Sequence, residues 1–280
     1  VGQGTEGRMS ALDDLPPLRD VIAAHDLAAR KQLGQHFLLD LNLTRRIARS
    51  GGDLKGLHVI EIGPGPGGLT RALLESDAAS ITALEKDKRC VEALQPLIAH
   101  SEGRLRVIEA DALECDFTSL TPSPRAVIAN LPYNISTPIL LKLLREAKHF
   151  DFFLLMFQKE VAERIVAEPG NKIYGRLSVV SQFACECKRI FNIPAKAFTP
   201  PPKIDSSVVH MVTKKESAPV SIKALEAVTE QAFGQRRKML RGIFKGQLDE
   251  AAFVKLGIKG EMRPEQLSIK DFISLTKLLA

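Results

Sequence analysis

Glu61-Ile62-Gly63-Pro64-Gly65-Pro66-Gly67-Gly68-Leu69-Thr70 is the stretch on which the reading of this chain turns. Before it, His58-Val59-Ile60-Glu61-Ile62 is a short β-branched run; after it, Leu69, Leu73 and Leu74 recur at helical spacing. A strand therefore enters the glycines and a helix leaves them. Glycines at such a junction admit backbone torsions closed to other residues and let a ligand approach the main chain, while the new helix offers unpaired N–H groups. Gly63, Gly65 and Gly68 fit the dinucleotide pattern G-x-G-x-x-G, and Gly63, Gly65 and Gly67 fit the G-x-G-x-G spacing common in S-adenosylmethionine enzymes. By composition alone the loop is also compatible with a ligand-free Gly-Pro turn.

Outward from the loop the pattern repeats. Asn42 to Ser50 reads as a helix ended by Gly51-Gly52, Ser80 to Glu85 as a second strand, and Val91 to Ile98 as helical. Leu105 to Ala110 is a third strand ending at Asp111, and Ala126 to Ala129 a fourth ending at Asn130. Ile139 to Leu144 is the next helix, and Phe152 to Phe157 a fifth strand feeding a helix from Lys159 to Val166. Short apolar strands alternating with helices predict an α/β domain built on a mostly parallel sheet. Ligands of such sheets bind beyond the carboxyl ends of the strands, so Gly63, Glu85, Asp111 and Asn130 should meet in one crevice. Later, Ser178 to Cys185 reads as a helix, Phe198 to Lys203 as an extended proline-rich connector and Ser206 to Val212 as a late strand. Lys214 to Pro219 is the best linker. Beyond it only helices are visible: Ile222 to Phe244 with a break available at Gly234, Glu250 to Leu256, and Ile269 to Leu279.

With 280 residues, 45% of them hydrophobic and 26% charged, the chain has the balance of a globular protein and length for a large and a small domain. No apolar run approaches the roughly 18 residues that span a bilayer, so a cytoplasmic protein is expected. Cys90, Cys115, Cys185 and Cys187 form no C-x-x-C pair and have no histidine at zinc-like spacing, which argues against metal and disulfide frameworks. A net charge of +6 points weakly to a polyanionic partner. Val1 to Arg8 is glycine-rich without periodicity. Pro16 to Ala29 has the pattern of a short helix, and residues 1–29 as a whole are expected to be a leader, loose in part, with Met9 a candidate natural start.

The strand-end residues suggest chemistry. Glu85 sits where a carboxylate accepts both hydroxyls of a ribose, an arrangement that serves NAD and S-adenosylmethionine alike. Asp111 stands where an adenine amino group could be accepted, or where it could simply cap the following turn. Asn130-Leu131-Pro132-Tyr133 is the most informative of these. The exocyclic amine of a purine is a poor nucleophile because its lone pair is delocalised into the ring. The Asn130 amide oxygen and a backbone carbonyl, that of Leu131, could accept its two N–H groups and draw the nitrogen towards tetrahedral geometry. Pro132 holds Leu131 extended, and Tyr133 offers a flat face for a base. Methyl transfer from a sulfonium is an in-line displacement with a good leaving group, so alignment carries it without a covalent nucleophile or a metal. Hydride transfer would need a proton donor near a carbonyl, and no histidine is placed for that.

Taken together, Gly34-Gln35-His36-Phe37-Leu38, Glu61 to Gly68, Glu85, Asp111, Asn130 to Ile135, Gln158-Lys159-Glu160-Val161, Phe198 with Pro202 to Ser206, and Arg236-Arg237-Lys238 resemble the KsgA-type ribosomal RNA adenine dimethyltransferases. The resemblance runs from about Arg30 almost to the C-terminus. It implies a Rossmann-like class I S-adenosylmethionine-dependent methyltransferase sheet over residues 30–215 and a small all-helical C-terminal domain over 216–280 that binds RNA or the ribosome. It implies two methyls carried from S-adenosylmethionine to N6 of each of two adjacent adenosines in a hairpin near the 3′ end of 16S rRNA, with a role in biogenesis of the small ribosomal subunit. Residue by residue, His36 and Leu38 would contact the cofactor ahead of the sheet, Gly63 its methionine part with Gly65 also beside it, Glu85 its ribose and Asp111 its adenine, while Asn130, Leu131, Pro132 and Tyr133 would hold the target base and Asn130 would border the cofactor as well. The family often has asparagine where His36 stands. Arg237, Arg241 and Lys245 fall at i, i+4 and i+8, so a continuous helix would set them on one face towards phosphates.

Four other readings compete. Antibiotic-resistance methyltransferases of large-subunit rRNA share the N-terminal motifs, but Pro202 to Ser206 and the helical tail favour the small-subunit enzyme. A NAD-dependent dehydrogenase leaves Asn130 to Tyr133 without a use. A DNA adenine methyltransferase would use the same amine chemistry, and a ribosome-assembly factor would need only the binding. No metal is expected, and a monomer is the default.

Overall fold

The structure is a computed structural model that describes residues 14–27, 35–215 and 219–279. The first part of the leader, Arg30 to Gly34 ahead of His36, and the middle of the Lys214 to Pro219 linker lie outside the described residues. Two compact units emerge, one drawn from Val1–Ala162 and Lys188–Val212, the other from Glu163–Cys187 and Thr213–Ala280. Glu163–Cys187 thus clusters with the C-terminal helices, whereas the sequence places that segment in the sheet domain.

The first unit is organised by strands β2 (His58–Ile62), β3 (Ser80–Glu85), β4 (Leu105–Glu109), β5 (Arg125–Asn130), β6 (Phe152–Gln158), β7 (Cys185–Ile193) and β9 (Ser206–Thr213). A two-residue ribbon, β1 (Phe37–Leu38) against β8 (Phe198–Thr199), stands apart from them. The sheet runs β4-β3-β2-β5-β6-β9-β7. Its pairs from β4 through β6 are parallel, and β9 lies antiparallel on β6. Strand order reverses about β2, which pairs β3 on one side and β5 on the other. A crevice at the carboxyl ends is the consequence of that reversal.

Burial explains the strand sequences. Val59, Ile60, Ile81, Ala83, Val127, Ile128, Phe153 and Leu155 are fully buried, as expected where parallel strands are covered on both faces. Asp40 caps the helix Leu41–Arg49 by accepting from the N–H groups of Asn42 and Leu43. The helical stretch around Val91 is two short helices, Lys88–Ala93 and Gln95–His100, divided ahead of Pro96. In the leader, helix covers Leu18–Ala24.

β7 is a strand that the sequence reading passes over. The helix Arg176–Ala184 ends one residue before the predicted Cys185 and the chain goes straight into an extended edge strand. Its signal was the spacing of Cys185, Cys187, Phe191 and Ile193, interrupted in phase by the exposed Arg189 and blurred because an edge strand buries so little. Lys188 and Arg189 are exposed on that edge, and charges on an edge strand disfavour pairing with another strand.

The second unit has its own core, with Tyr174, Leu225, Leu240, Phe244, Phe253, Phe272 and Leu275 at its centre. The Tyr174 hydroxyl donates to the Leu267 carbonyl at 3.0 Å, and Phe233 stacks on Phe272. The expected long helix through Arg237, Arg241 and Lys245 is not there. Helix Ile222–Gly234 stops at its glycine, residues 235–239 turn, and a one-turn helix, Leu240–Ile243, follows. Leu240, Ile243 and Phe244 are buried while Arg237, Arg241 and Lys245 are exposed. A new turn begins because the chain redirects at Met239, and the Leu240 N–H then donates to Met262 at 2.8 Å. The three cations therefore share no single helical face, and Arg241 is paired with Glu261 at 3.2 Å.

Candidate active site

One cavity of about 240 Å³ opens at the carboxyl ends of the strands. It is lined by His36, Leu38, Gly63, Gly65, Glu85 and Asp111, together with Asn130 to Tyr133. The structure thus gathers the ten residues that the sequence singles out for cofactor and base, and it leaves Arg237, Arg241 and Lys245 in the other unit.

The glycine loop is held by its neighbours. Gly63 N–H donates to the Leu84 carbonyl at 2.9 Å, tying β2 to the end of β3. Gly65 has a φ of +55°, and a Cβ there would stand 2.9 Å from the Phe37 ring. Both facts demand glycine. A Cβ on Gly68, the first residue of helix Gly68–Leu74, would collide with the Leu38 carbonyl oxygen, so the helix and β1 approach each other through the missing side chain. Gly67 caps that helix in the left-handed region and does not line the cavity.

Glu85 is nearly buried. Its two carboxylate oxygens accept from Gly65 N–H at 3.1 Å and Asp87 N–H at 2.8 Å, which orients the group and leaves a lone pair on each oxygen. Burial pushes its carboxyl above the usual range, and those N–H groups oppose the shift. Asp111 accepts from Leu113 N–H at 2.9 Å and pairs with the exposed Lys86 ammonium at 2.7 Å, which holds its carboxyl below the ordinary value.

Glu61, one residue before the end of β2, also lines the cavity. Only 1% exposed, it has its carboxyl pushed up to about 8 by burial, with the Thr70 hydroxyl opposing and the Glu85 charge adding to the shift. Its Oε2 makes no hydrogen bond of normal geometry, nor does Thr70 Oγ1. An acidic residue inside an apolar strand run was the sign that could have found it.

Asn130 ends β5 with its amide nitrogen donating to the His36 carbonyl at 3.0 Å. A carbonyl only accepts, so this bond settles which end of the amide is which, and Oδ1 is the end left to accept. The Tyr133 hydroxyl lies 2.5 Å from Ser206 Oγ, the first residue of β9. Burial raises the Tyr133 phenol above its usual range, and the Ser206 contact opposes that. Ser206 enters the sequence reading only as part of a motif; its contact with Tyr133 is a role that tertiary structure creates.

The profile of the ribosomal RNA adenine dimethylase family matches residues 27–280. The chain belongs to that family. It is 52% identical over 271 residues to the ribosomal RNA small subunit methyltransferase A of Brucella abortus, an alignment covering 95% of this chain and 98% of the relative. Among solved structures, a dimethyladenosine transferase from Plasmodium falciparum superposes with a TM-score of 0.76 at 27% identity, over 86% of this chain and 96% of that one. The 23S rRNA methyltransferase ErmE gives 0.65 at 25% identity, over 87% and 99%. The fold is accordingly the Rossmann-like methyltransferase sheet followed by C-terminal helices. Among the described residues, no group of three or more His, Cys, Asp or Glu could hold a metal, and no helix is long and apolar enough to cross a membrane.

Proposed function

We propose that the protein dimethylates N6 of two adjacent adenosines in a hairpin near the 3′ end of 16S rRNA with S-adenosylmethionine, during biogenesis of the small ribosomal subunit. One observation carries the chemistry: Asn130, anchored through its nitrogen at the end of β5, presents an acceptor oxygen in a cavity that also holds Glu85 and Asp111.

The cavity fits the cofactor. Glu61 Oε2, buried and unpartnered, suits the ammonium of a methionine moiety, and the spare lone pairs of Glu85 suit ribose hydroxyls. The Asp111 carboxylate, already paired with the Lys86 ammonium, suits the adenine amino group. Gly63 and Gly65 let the backbone come close, and His36 and Leu38 close the near wall. S-Adenosylmethionine supplies an electrophilic methyl on a sulfonium. For the chain's own part, Asn130 Oδ1 and the Leu131 carbonyl accept the two N–H bonds of the target amine, turning its lone pair out of conjugation, while Tyr133 stacks the ring. Each transfer breaks the S–CH3 bond and leaves a cationic nitrogen that sheds one proton to water; after the first, the amine keeps an N–H for one acceptor, so a second transfer can follow. A monomer and a metal-free site remain part of this reading. Arg237, Arg241 and Lys245 are proposed to meet rRNA phosphates from the helical unit.

The likeness to ErmE keeps large-subunit rRNA as the competing substrate; the relative with half its residues in common is a small-subunit enzyme by name. Incubation with labelled S-adenosylmethionine and undermethylated small subunits, large subunits or DNA, followed by nucleoside analysis, tests the reading. Label in N6,N6-dimethyladenosine from small subunits alone is expected. Transfer confined to large subunits or DNA, or none at all, rejects it.

A further inference from the structure

Tyr133 presents a problem of orientation. Its hydroxyl is held by Ser206, but a phenol tethered at Cβ and at its oxygen still turns about the axis joining those two points, so the hydrogen bond fixes where the ring is and not which way its plane faces. A neighbouring ring packed against it helps to set the plane. His36 supplies one: the two ring centroids are 5.1 Å apart with 30° between the planes. The imidazole is itself fixed, because its Nδ1 lies 2.7 Å from the Pro200 carbonyl oxygen. A carbonyl cannot donate, so Nδ1 carries the proton. Pro200 directly follows β8, and Phe37, next to His36, pairs with Thr199 across the β1–β8 ribbon, so the backbone registers both ends of this contact. The same residue's carbonyl holds the Asn130 amide.

We infer that His36 is a positioning residue of the target-base clamp: its ring sets the plane of Tyr133 and its carbonyl sets the amide of Asn130, so that the base stacks on the Tyr133 face turned away from His36. The inference rests on the reading of Tyr133 as the base platform. It adds to His36 a role distinct from touching the cofactor. The β1–β8 ribbon becomes the brace that holds both halves of the clamp in register.

The chain has only two tyrosines and no tryptophan, so 3-fluorotyrosine labelling gives two 19F resonances, one from Tyr133 and one from the buried Tyr174 of the other unit. His36→Ala and His36→Phe keep the main-chain carbonyl; the first removes the ring and the second keeps a ring without Nδ1. For His36→Ala we expect the Tyr133 resonance to shift and narrow while Tyr174 stays put, kcat on small subunits to fall about tenfold, and both KM for subunits and calorimetric affinity for S-adenosylhomocysteine to change less than twofold. His36→Phe should restore the resonance and most of kcat. Three results overturn the inference: an unmoved Tyr133 resonance, a loss confined to cofactor affinity, or faster turnover in His36→Ala, which would mean the ring occupies the base's own place. Tyr133→Ala separates this from failure of the underlying reading. If that variant turns over normally the platform itself is wrong, whereas a disabled Tyr133→Ala beside an unaffected His36→Ala sinks only the role of His36.

Discussion

The crevice at the strand ends and the segment from Gly234 to Gly246 differ in how tightly the fold constrains their residues. In the crevice, residues separated by up to about a hundred positions meet as expected. In the segment, three cations spaced for one helical face are divided by a turn. The crevice is over-determined: parallel strands buried on both faces have one register, and the residue after each strand has one place to go. An exposed basic stripe has no such constraint. Its helix exists only if the apolar residues beneath it are content with that helix, and Leu240, Ile243 and Phe244 are buried from a separate short turn instead.

The comparison is tested most severely by Asn130→Ala. If the crevice residues have separable roles, this variant loses transfer by at least roughly 10²–10³-fold while calorimetric affinity for S-adenosylhomocysteine is kept, because the lost acceptor acts on the amine and not on the cofactor. A parallel loss of cofactor affinity would merge the two halves of the site.

Glu61 offers the next largest effect. Its carboxyl stays protonated to about pH 8 in the fold but only to about 4.5 when unfolded. Between those values the folded chain binds more protons, so this group's contribution to stability falls as pH rises, by roughly 1.4 kcal/mol per unit. Glu61→Gln mimics the protonated form. Denaturant titrations of the cofactor-free protein should show the variant several kcal/mol more stable than wild type above pH 8, and close to it near pH 4.5. A constant difference across the range would mean Glu61 ionises normally.

Smaller in effect, neutralising Arg237, Arg241 and Lys245 together should weaken binding to the rRNA hairpin and lower the slope of log K against log salt by roughly 2, leaving cofactor affinity alone. An unchanged slope would show that these cations, parted by the turn, do not meet phosphate. The smallest effect belongs to Gly234→Ala. Its Cβ meets open space and its φ is ordinary, so helix propensity should raise the helical unit's stability by up to about 1 kcal/mol without lengthening the helix. NMR secondary shifts showing helix running on through Arg237 would mean that glycine, and not burial of Leu240 and Phe244, makes the break.

Much of the fold was open to a reader of the sequence, and the misses have physical causes. β2 and the helices Glu250–Leu256 and Ile269–Leu279 fall where periodicity and capping place them. β7 escaped because an edge strand is half solvated, and the β1–β8 ribbon because two residues carry no periodic signal. In the site, Glu85, Asp111 and Asn130 were legible from their positions at strand ends. Glu61 shows only as a carboxylate in an apolar run, and Ser206 has no local signal at all.

The glycine loop, the alternation of strands and helices and the Asn130 to Tyr133 motif were settled by local chemistry: each depends on torsions, periodicity or groups within a few residues. What only the tertiary structure decided is how those groups are held. The Asn130 amide is oriented by a carbonyl 94 residues away, Tyr133 by a hydroxyl 73 residues away and by the His36 ring, and His36 by the carbonyl of Pro200. A hydrogen bond between distant segments leaves no trace in either segment's own pattern, because neither needs its partner in order to fold locally.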